Sequence, residues 1–420
     1  MRNAILSVFS LLVAAAILLG ANGLQSTLLS LRANIEGFPL SAIGFLTSAY
    51  FVGFILGCRY APRFIKNVGH IRAFTALASV ASAATLAHIL FVEPVSWLIM
   101  RALAGFCFAG LHMIIESWLN ERATNENRGT VLSVYRIADF TAVTAGQFML
   151  NVADPAGFVL FVGVSILISL SLVPVALTTA AAPRPIKSAK LNIPKLWTLS
   201  PLACGAVVAA GASGSAFWAL APVFIQDIGY DVSVVALFMS AIIFGGAMAQ
   251  FPIGWLSDRT DRRRVIVGTA FLAGAGATLI SLFGPDSQNL LIAFALMLGM
   301  FHLPLYGLGV ANANDFAEAE DFVSINGGLL LLYGFGAVTG PIIAPFVMKG
   351  FGPSSLFFYN AVVYGLLTIF GLYRLTQRKP VPVEEKTEDF VSVPAGAAPA
   401  VFEIDPRATD ENPDEAAAKA

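Results

Sequence analysis

The chain has 420 residues, of which 57% are hydrophobic and 12% charged, with a net charge of −1 and a mean hydropathy of +0.76. A soluble domain carries about 25% charged residues, so the composition excludes one and describes an integral membrane protein. Three cysteines, Cys58, Cys107 and Cys204, lie in or beside apolar runs and make neither a disulfide framework nor a metal-spaced pair.

A membrane span needs about 20 mainly apolar residues, and the sequence predicts twelve. In the first half they cover 5–27, 41–58, 71–92, 97–118, 130–152 and 157–180. In the second half they cover 199–222, 233–254, 265–283, 289–311, 324–348 and 354–375. The first run follows Met1-Arg2-Asn3 and is read as a span rather than a signal peptide, because similar runs follow throughout. Most connections are short, which makes consecutive helices antiparallel neighbours.

Basic residues set the orientation. With residue 1 cytoplasmic, the same side holds Arg2, Arg59, Arg63, Lys66, Arg72, Arg122, Arg128, Arg184, Lys187, Lys190, Lys195, Arg259, Arg262, Arg263 and Arg264. The opposite loops hold Arg32 and Lys349. Both termini are therefore expected in the cytoplasm. The segment 315–321 departs from the pattern with Asp315, Glu318, Glu320 and Asp321 and no base, but acids weigh little in this rule.

The domain reading follows from these spans: a six-helix bundle over 1–180, a Pro-containing basic linker over 181–198, a second six-helix bundle over 199–376, and a tail over 377–420. The tail is rich in Pro, Ala, Glu, Asp and Lys and is expected to be disordered. The halves echo each other. Gly57-Cys58-Arg59 matches Gly254-Trp255-Leu256, Ala104-Gly105-Phe106 matches Leu298-Gly299-Met300, and Ala142-Val143-Thr144 matches Ala337-Val338-Thr339. All three pairs share an offset of about 195 residues, the mark of parallel pseudo-symmetric bundles with a binding site between them.

Between two spans of the second half, Gly254-Trp255-Leu256-Ser257-Asp258-Arg259-Thr260-Asp261-Arg262-Arg263-Arg264 packs many charges into a short turn. Topology alone could place such bases there. The sharper reading is a latch: Gly254 allows close helix approach, and Asp258 accepts from Arg forks and helix N-termini. This stretch resembles the signature loop of the major facilitator superfamily, G-x-L-x-D-R-x-x-R-R-R. Arg101 followed by Gly105, and Glu126-Asn127-Arg128-Gly129, are similar to its span-four and span-five motifs.

The segments Gly23–Arg32, Glu116–Arg122 and Gly327–Gly336 resemble the YcaD-like bacterial branch of that superfamily. The resemblance covers residues 1 to about 376. It implies the superfamily's all-α fold of two six-helix bundles, secondary transport and an inner-membrane location; it names no ligand. Two departures stand out. Ala61 occupies the place of the loop's acid in the first half, and span five reads Ala145-Gly146-Gln147 in place of G-P-x-x-G-G.

Charges inside a span are costly and usually face a cavity or a partner. Arg136 and Asp139 sit three apart on one face of span five; a proton- or substrate-coupling pair and a structural ion pair both fit. His112 and Glu116 sit four apart in span four. They could begin a metal site, but no third ligand is in reach, and Glu116 is expected to pair with Arg136 or Arg128. Arg101 either snorkels outward or points into the bundle. The resemblance implies that spans one, four, seven and ten line the cavity, which selects Gln25, His112, Trp218, His302 and Tyr306.

Gly334–Pro341 has the wrong spacing for a dinucleotide loop, and its small residues suit close packing. No P-loop is present, so ATP does not drive the protein through one, and no nucleophile–base set emerges. The expected function is secondary active transport of a small organic solute by alternating access, with protons as candidate coupling ion. The alternative is a transporter-like sensor or scaffold without flux. Neither cofactor nor metal nor nucleic acid is expected, and the protein is expected to act as a monomer in the bilayer.

Overall fold

The computed structural model describes residues 2–122, 128–177, 193–317, 322–377, 386 and 390. Their architecture is helical, with no strand among the described residues. Lipid offers no hydrogen-bond partners, so a spanning backbone must satisfy itself within each helix. The first half contains α1 (Arg2–Ile35), α2 (Leu40–Val68), α3 (His70–Leu90), α4 (Pro94–Arg122), α5 (Arg128–Met149), α6 (Val159–Leu170) and α7 (Leu172–Ala176). After α8 (Ile193–Leu199), the second half contains α9 (Pro201–Asp227), α10 (Val232–Arg259), α11 (Arg262–Phe283), α12 (Gln288–His302), α13 (Pro304–Asn314), α14 (Phe322–Phe351) and α15 (Ser355–Gln377).

Apart from the short α8, the described residues form twelve rods, because α6 continues into α7 and α12 into α13. The second break falls at Leu303, where Pro304 removes a backbone donor. Eleven rods are long and apolar enough to cross a membrane. The exception is α5, which is of spanning length but carries Arg136 and Asp139.

Most helices overrun their predicted spans. Hydropathy marks the length that lipid covers, whereas the hydrogen-bonded ladder continues through the polar interface until a cap ends it. Gly69, with φ +86°, separates α2 from α3. Asp231 accepts from the Ser233 and Val234 amides to start α10. Asp261 accepts from the Arg263 amide to start α11.

The expected linker 181–198 falls mainly outside the described residues. Its last residues form α8, whose buried Leu196 packs on Gly328 and whose Trp197 stacks on Phe370. The expected tail likewise falls outside the described residues, apart from Gln377 at the end of α15, Lys386 and Phe390.

Helix pairing repeats between the halves. In the first, α2 packs on α4, α1 on α5 and α3 on α6; in the second, α10 packs on α12, α9 on α14 and α11 on α15. The halves meet through α2 on α14 and α5 on α10, which is again a symmetric exchange. Calling the end where α1 begins the near end, hydrogen bonds of side chains between the halves lie toward the far end, and a ring contact follows deeper in. Asn34 Nδ2 donates to Gln226 Oε1 at 3.0 Å, Ser48 Oγ donates to the Val338 carbonyl at 2.8 Å, and the Phe51 and Tyr333 rings lie 6.1 Å apart.

Small residues set how closely the rods approach. A Cβ on Gly105 would overlap the Tyr50 carbonyl of α2, and one on Gly53 would overlap the Ala102 carbonyl of α4. In the second half, a Cβ on Gly299 would overlap the Ile242 carbonyl. Gly336 and Gly340 of α14 take the Val208 and Ala212 carbonyls of α9 in the same way.

Overpacking a helix contact of this kind costs about 1–3 kcal/mol. Gly105→Ala and Gly299→Ala are each expected to lower the unfolding midpoint in detergent. Gly163→Ala, which meets nothing within 4 Å, should leave it unchanged. Equal midpoints for all three variants would remove the close-approach account.

Candidate functional site

A cavity of about 210 Å³ opens among α1, α2, α4, α5 and α9. Helical periodicity builds its walls. Leu19, Asn22, Gly23 and Ser26 share one face of α1; Thr47, Tyr50, Phe51 and Phe54 come from α2. From α4 come Arg101, His112 and Glu116, and from α5 Tyr135, Asp139 and Val143, each set at spacings that return to one face. Trp218 of α9 is the contribution of the second half.

The charged groups differ in how they are satisfied. Arg136 and Asp139 form an ion pair through Nη1 and Oδ2, with side chains 11% and 14% exposed. The Arg136 guanidinium also lies over the Phe140 ring, 4.4 Å from its centroid. Arg101 points into the bundle: it is buried, with its guanidinium carbon 4.5 Å from the centroid of the Tyr50 ring. Glu116 is fully buried, and His112 stands between the Phe54 and Phe108 rings. The side chain of Arg128, one expected partner of Glu116, lies outside the described residues.

The cavity brings together Arg101, His112, Glu116, Asp139 and Trp218, while Arg136 supports it from behind. Gln25, His302 and Tyr306 do not line it. Gln25 Nε2 donates to Thr85 Oγ1 at 2.8 Å and ties α1 to α3. His302 Nδ1 bonds the Tyr364 hydroxyl, and its ring lies against Gly214. The Tyr306 ring packs on Tyr333 at 5.1 Å. Each of the three is buried, and its polar or ring contacts run to a neighbouring helix of its own half. Ser26, Thr47 and Tyr135 are lining residues that sequence reasoning passed over; Tyr135 could have been found four residues before Asp139 on the same helical face.

The charged turn after α10 is a separate cluster near the ends of α10, α11 and α13. Arg262, 2% exposed, places Nη2 3.1 Å from Asp258 Oδ1 and Nε 2.9 Å from Asp315 Oδ2. The acid that disturbed the charge pattern of 315–321 thus neutralises a buried guanidinium; Glu318, Glu320 and Asp321 lie outside the described residues. Arg263 binds Asp261 at 2.8 Å. Burial pushes the Asp261 carboxyl up, but the hydrogen bonds and charge of Arg263 outweigh it and hold the pKa below its ordinary value. Arg259 stacks on Trp255, 4.4 Å from the ring centroid.

Gly254 was expected to receive a neighbouring helix. It receives the Phe390 ring instead: a Cβ there would overlap that ring, which also reaches Gly307 of α13. The Phe390 amide donates to Asp258 Oδ2 at 2.8 Å. Lys386 Nζ donates to the carbonyls of Ser257 at 2.9 Å, Asp258 at 3.3 Å and Thr260, the C-terminal oxygens of α10. Burial, with Arg262 close by, lowers the Lys386 pKa. In the first half, Ala61 is fully buried in core packing beside Gly110, so an acid at that position would be desolvated.

Residues 202–406 match the family model described as Major Facilitator Superfamily. An "Uncharacterized MFS-type transporter" of Yersinia pestis is 27% identical over 341 residues, covering 80% of this chain and 88% of the relative. The "Uncharacterized MFS-type transporter YcaD" of Salmonella enteritidis is 24% identical over 360 residues, covering 85% and 93%. In fold, the chain is similar to the crystal structure of the nucleoside transporter NupG, with a TM-score of 0.75, 12% identity and 87% and 98% coverage. It is also similar to a bacterial homologue of the human lysosomal transporter Spinster in an inward-facing, occupied conformation, with a TM-score of 0.70, 15% identity and 90% and 98% coverage.

Removing one partner of a buried ion pair costs about 3–5 kcal/mol. Arg262→Gln strands two acids, whereas Asp258→Asn keeps an acceptor for the Phe390 amide. Thermal unfolding of the purified variants should therefore rank Arg262→Gln well below Asp258→Asn. The reverse order would dissolve the Asp258–Arg262–Asp315 cluster as a stabilising unit.

Proposed function

We propose that the chain, whose residues 202–406 match the Major Facilitator Superfamily model, is a secondary transporter of that superfamily that carries a small organic solute by alternating access. The observation that carries this reading is the cavity itself. It joins α1, α2, α4 and α5 of one half to Trp218 of the other, so a solute held there touches both moving bodies.

The distribution of Arg and Lys supports a cytoplasmic near end. Contacts between the halves at Asn34–Gln226 and Ser48–Val338 lie toward the opposite face, which favours an inward-facing state. Rocking of one half against the other about the α2–α14 and α5–α10 seams would then expose the cavity to the outside.

Asp139 is the proposed coupling carboxylate, with Arg136 as its tuning cation. Protonating Asp139 breaks the ion pair and changes the charge that faces the solute. A group whose charge changes with the side to which the cavity opens can link proton movement to solute movement.

Flux of radiolabelled solutes into proteoliposomes, with and without a pH gradient, tests the transport reading. With a solute so identified, Asp139→Asn is expected to abolish accumulation driven by the pH gradient while preserving exchange of labelled for unlabelled solute. Arg136→Ala should lower folded yield further, because it leaves a buried acid without its cation. Normal pH-driven accumulation by Asp139→Asn would assign the pair a structural role and make Glu116 the next coupling candidate.

A further inference from the structure

The charges of the cavity do not balance in the same way. Asp139 is neutralised by Arg136, and Arg262 at the near end has its own two acids. Arg101 is 4% exposed, and no carboxylate pairs with it among the described residues. Its Nη1 is buried with no hydrogen-bond partner among them. The Tyr50 ring covers the flat face of the guanidinium. A ring face attracts a cation, but it takes none of the N–H donors, which project in the guanidinium plane toward its edges. The side chain thus carries a charge that lipid would reject and an in-plane donor without an acceptor, at the wall of a cavity.

We infer that Arg101 is the recognition group for a carboxylate on the transported solute, so that the cavity takes organic monoanions with an apolar or aromatic body. The inference rests on the transport reading of the same cavity. Guanidinium and carboxylate are planar and match edge to edge through two parallel hydrogen bonds; lysine would offer only a point charge. Tyr50 fixes the plane of the fork in advance, which lowers the ordering cost of binding. Phe51, Phe54, Val143 and Trp218 supply the apolar remainder of the wall.

Position adds a direction. Arg101 lies seven residues into α4 from Pro94, roughly 10 Å from its far end, while Glu116 lies roughly 22 Å further along the helix. The cation therefore sits deep and Glu116 nearer the opposite end. A monoanion binds with its carboxylate toward the far end and its apolar body behind it. A second carboxylate on the solute would find no further Arg or Lys among the residues lining the cavity, so dianions are disfavoured.

The test uses the full-length protein in detergent and a matched ligand series: benzoate, benzamide, benzylamine and terephthalate, with octanoate and octanamide as an alkyl pair. Binding is read by thermal shift and by quenching of the Trp218 fluorescence, with Trp218→Phe as the control for signal from the cavity. Benzoate or octanoate should bind at least tenfold more tightly than its amide, and benzylamine and terephthalate more weakly than benzoate. Arg101→Gln should erase the preference for acid over amide, and Arg101→Lys should restore only part of it.

The wild-type series decides the matter even if the Arg101 variants fail to fold. Equal binding of acids and amides, tighter binding of the amine, or no binding by any carboxylate up to its solubility limit would overturn the assignment. Carboxylate binding without flux in proteoliposomes would sink transport and keep the anion site; flux of neutral or cationic solutes without a carboxylate preference would do the opposite.

Discussion

The backbone contact between α2 and α4 governs the cavity. Gly53 and Gly105 leave no room for a Cβ between the two rods, so the main chain of α4 lies directly against that of α2 at Tyr50. Arg101 is one turn before Gly105, and this register brings its guanidinium over the Tyr50 ring at 4.5 Å. A pair of absent methyl groups thereby sets the plane and depth of a buried cation. The equivalent contact, Gly299 against Ile242, serves packing in the second half but has no matching charge beside it. The architecture is symmetric and the polar chemistry is not.

That asymmetry follows from the cost of charge in lipid. Each described charged cluster inside the bundle has a different solution. Arg136 and Asp139 neutralise each other within one helix. Arg262 binds acids from the ends of two others. Arg101 has an aromatic face and an open cavity. In the second half the midsection is held by side-chain hydrogen bonds such as that of His302 with Tyr364, which tie helices together. One half thus supplies most of the groups able to bind and titrate, and the other supplies a wall with Trp218.

Much of the fold is legible in the sequence because hydrophobic length is a direct physical requirement of a span, and basic residues punctuate the loops. The repeat is legible where glycine is needed for contact, as at Gly105 and Gly299. The site is legible where charge and helical period coincide, as at His112 with Glu116 and Arg136 with Asp139. Gln25, His302 and Tyr306 show why the rest is not. A buried polar residue that bonds a neighbouring helix has the same sequence signature as one that faces a cavity, and the choice depends on which faces the rods turn toward each other. The tail is the opposite case. Lys386 and Phe390 have no periodicity around them, and their docking depends on oxygens and a recess built by residues far away in the chain.

Gly254 has a further meaning once Phe390 is seated on it. In most helix contacts, a glycine is held in place by the backbone it touches. Here its constraint is a single side chain from beyond the last span, so the two positions are sterically coupled. A sequence that gains a methyl at 254 must lose bulk at 390, and one that loses the ring at 390 releases 254 to drift. Co-variation between these positions, with Gly307 as the third member, would be the genetic trace of the tail's seat. It would reach into a segment that resemblance over the twelve spans leaves unconstrained.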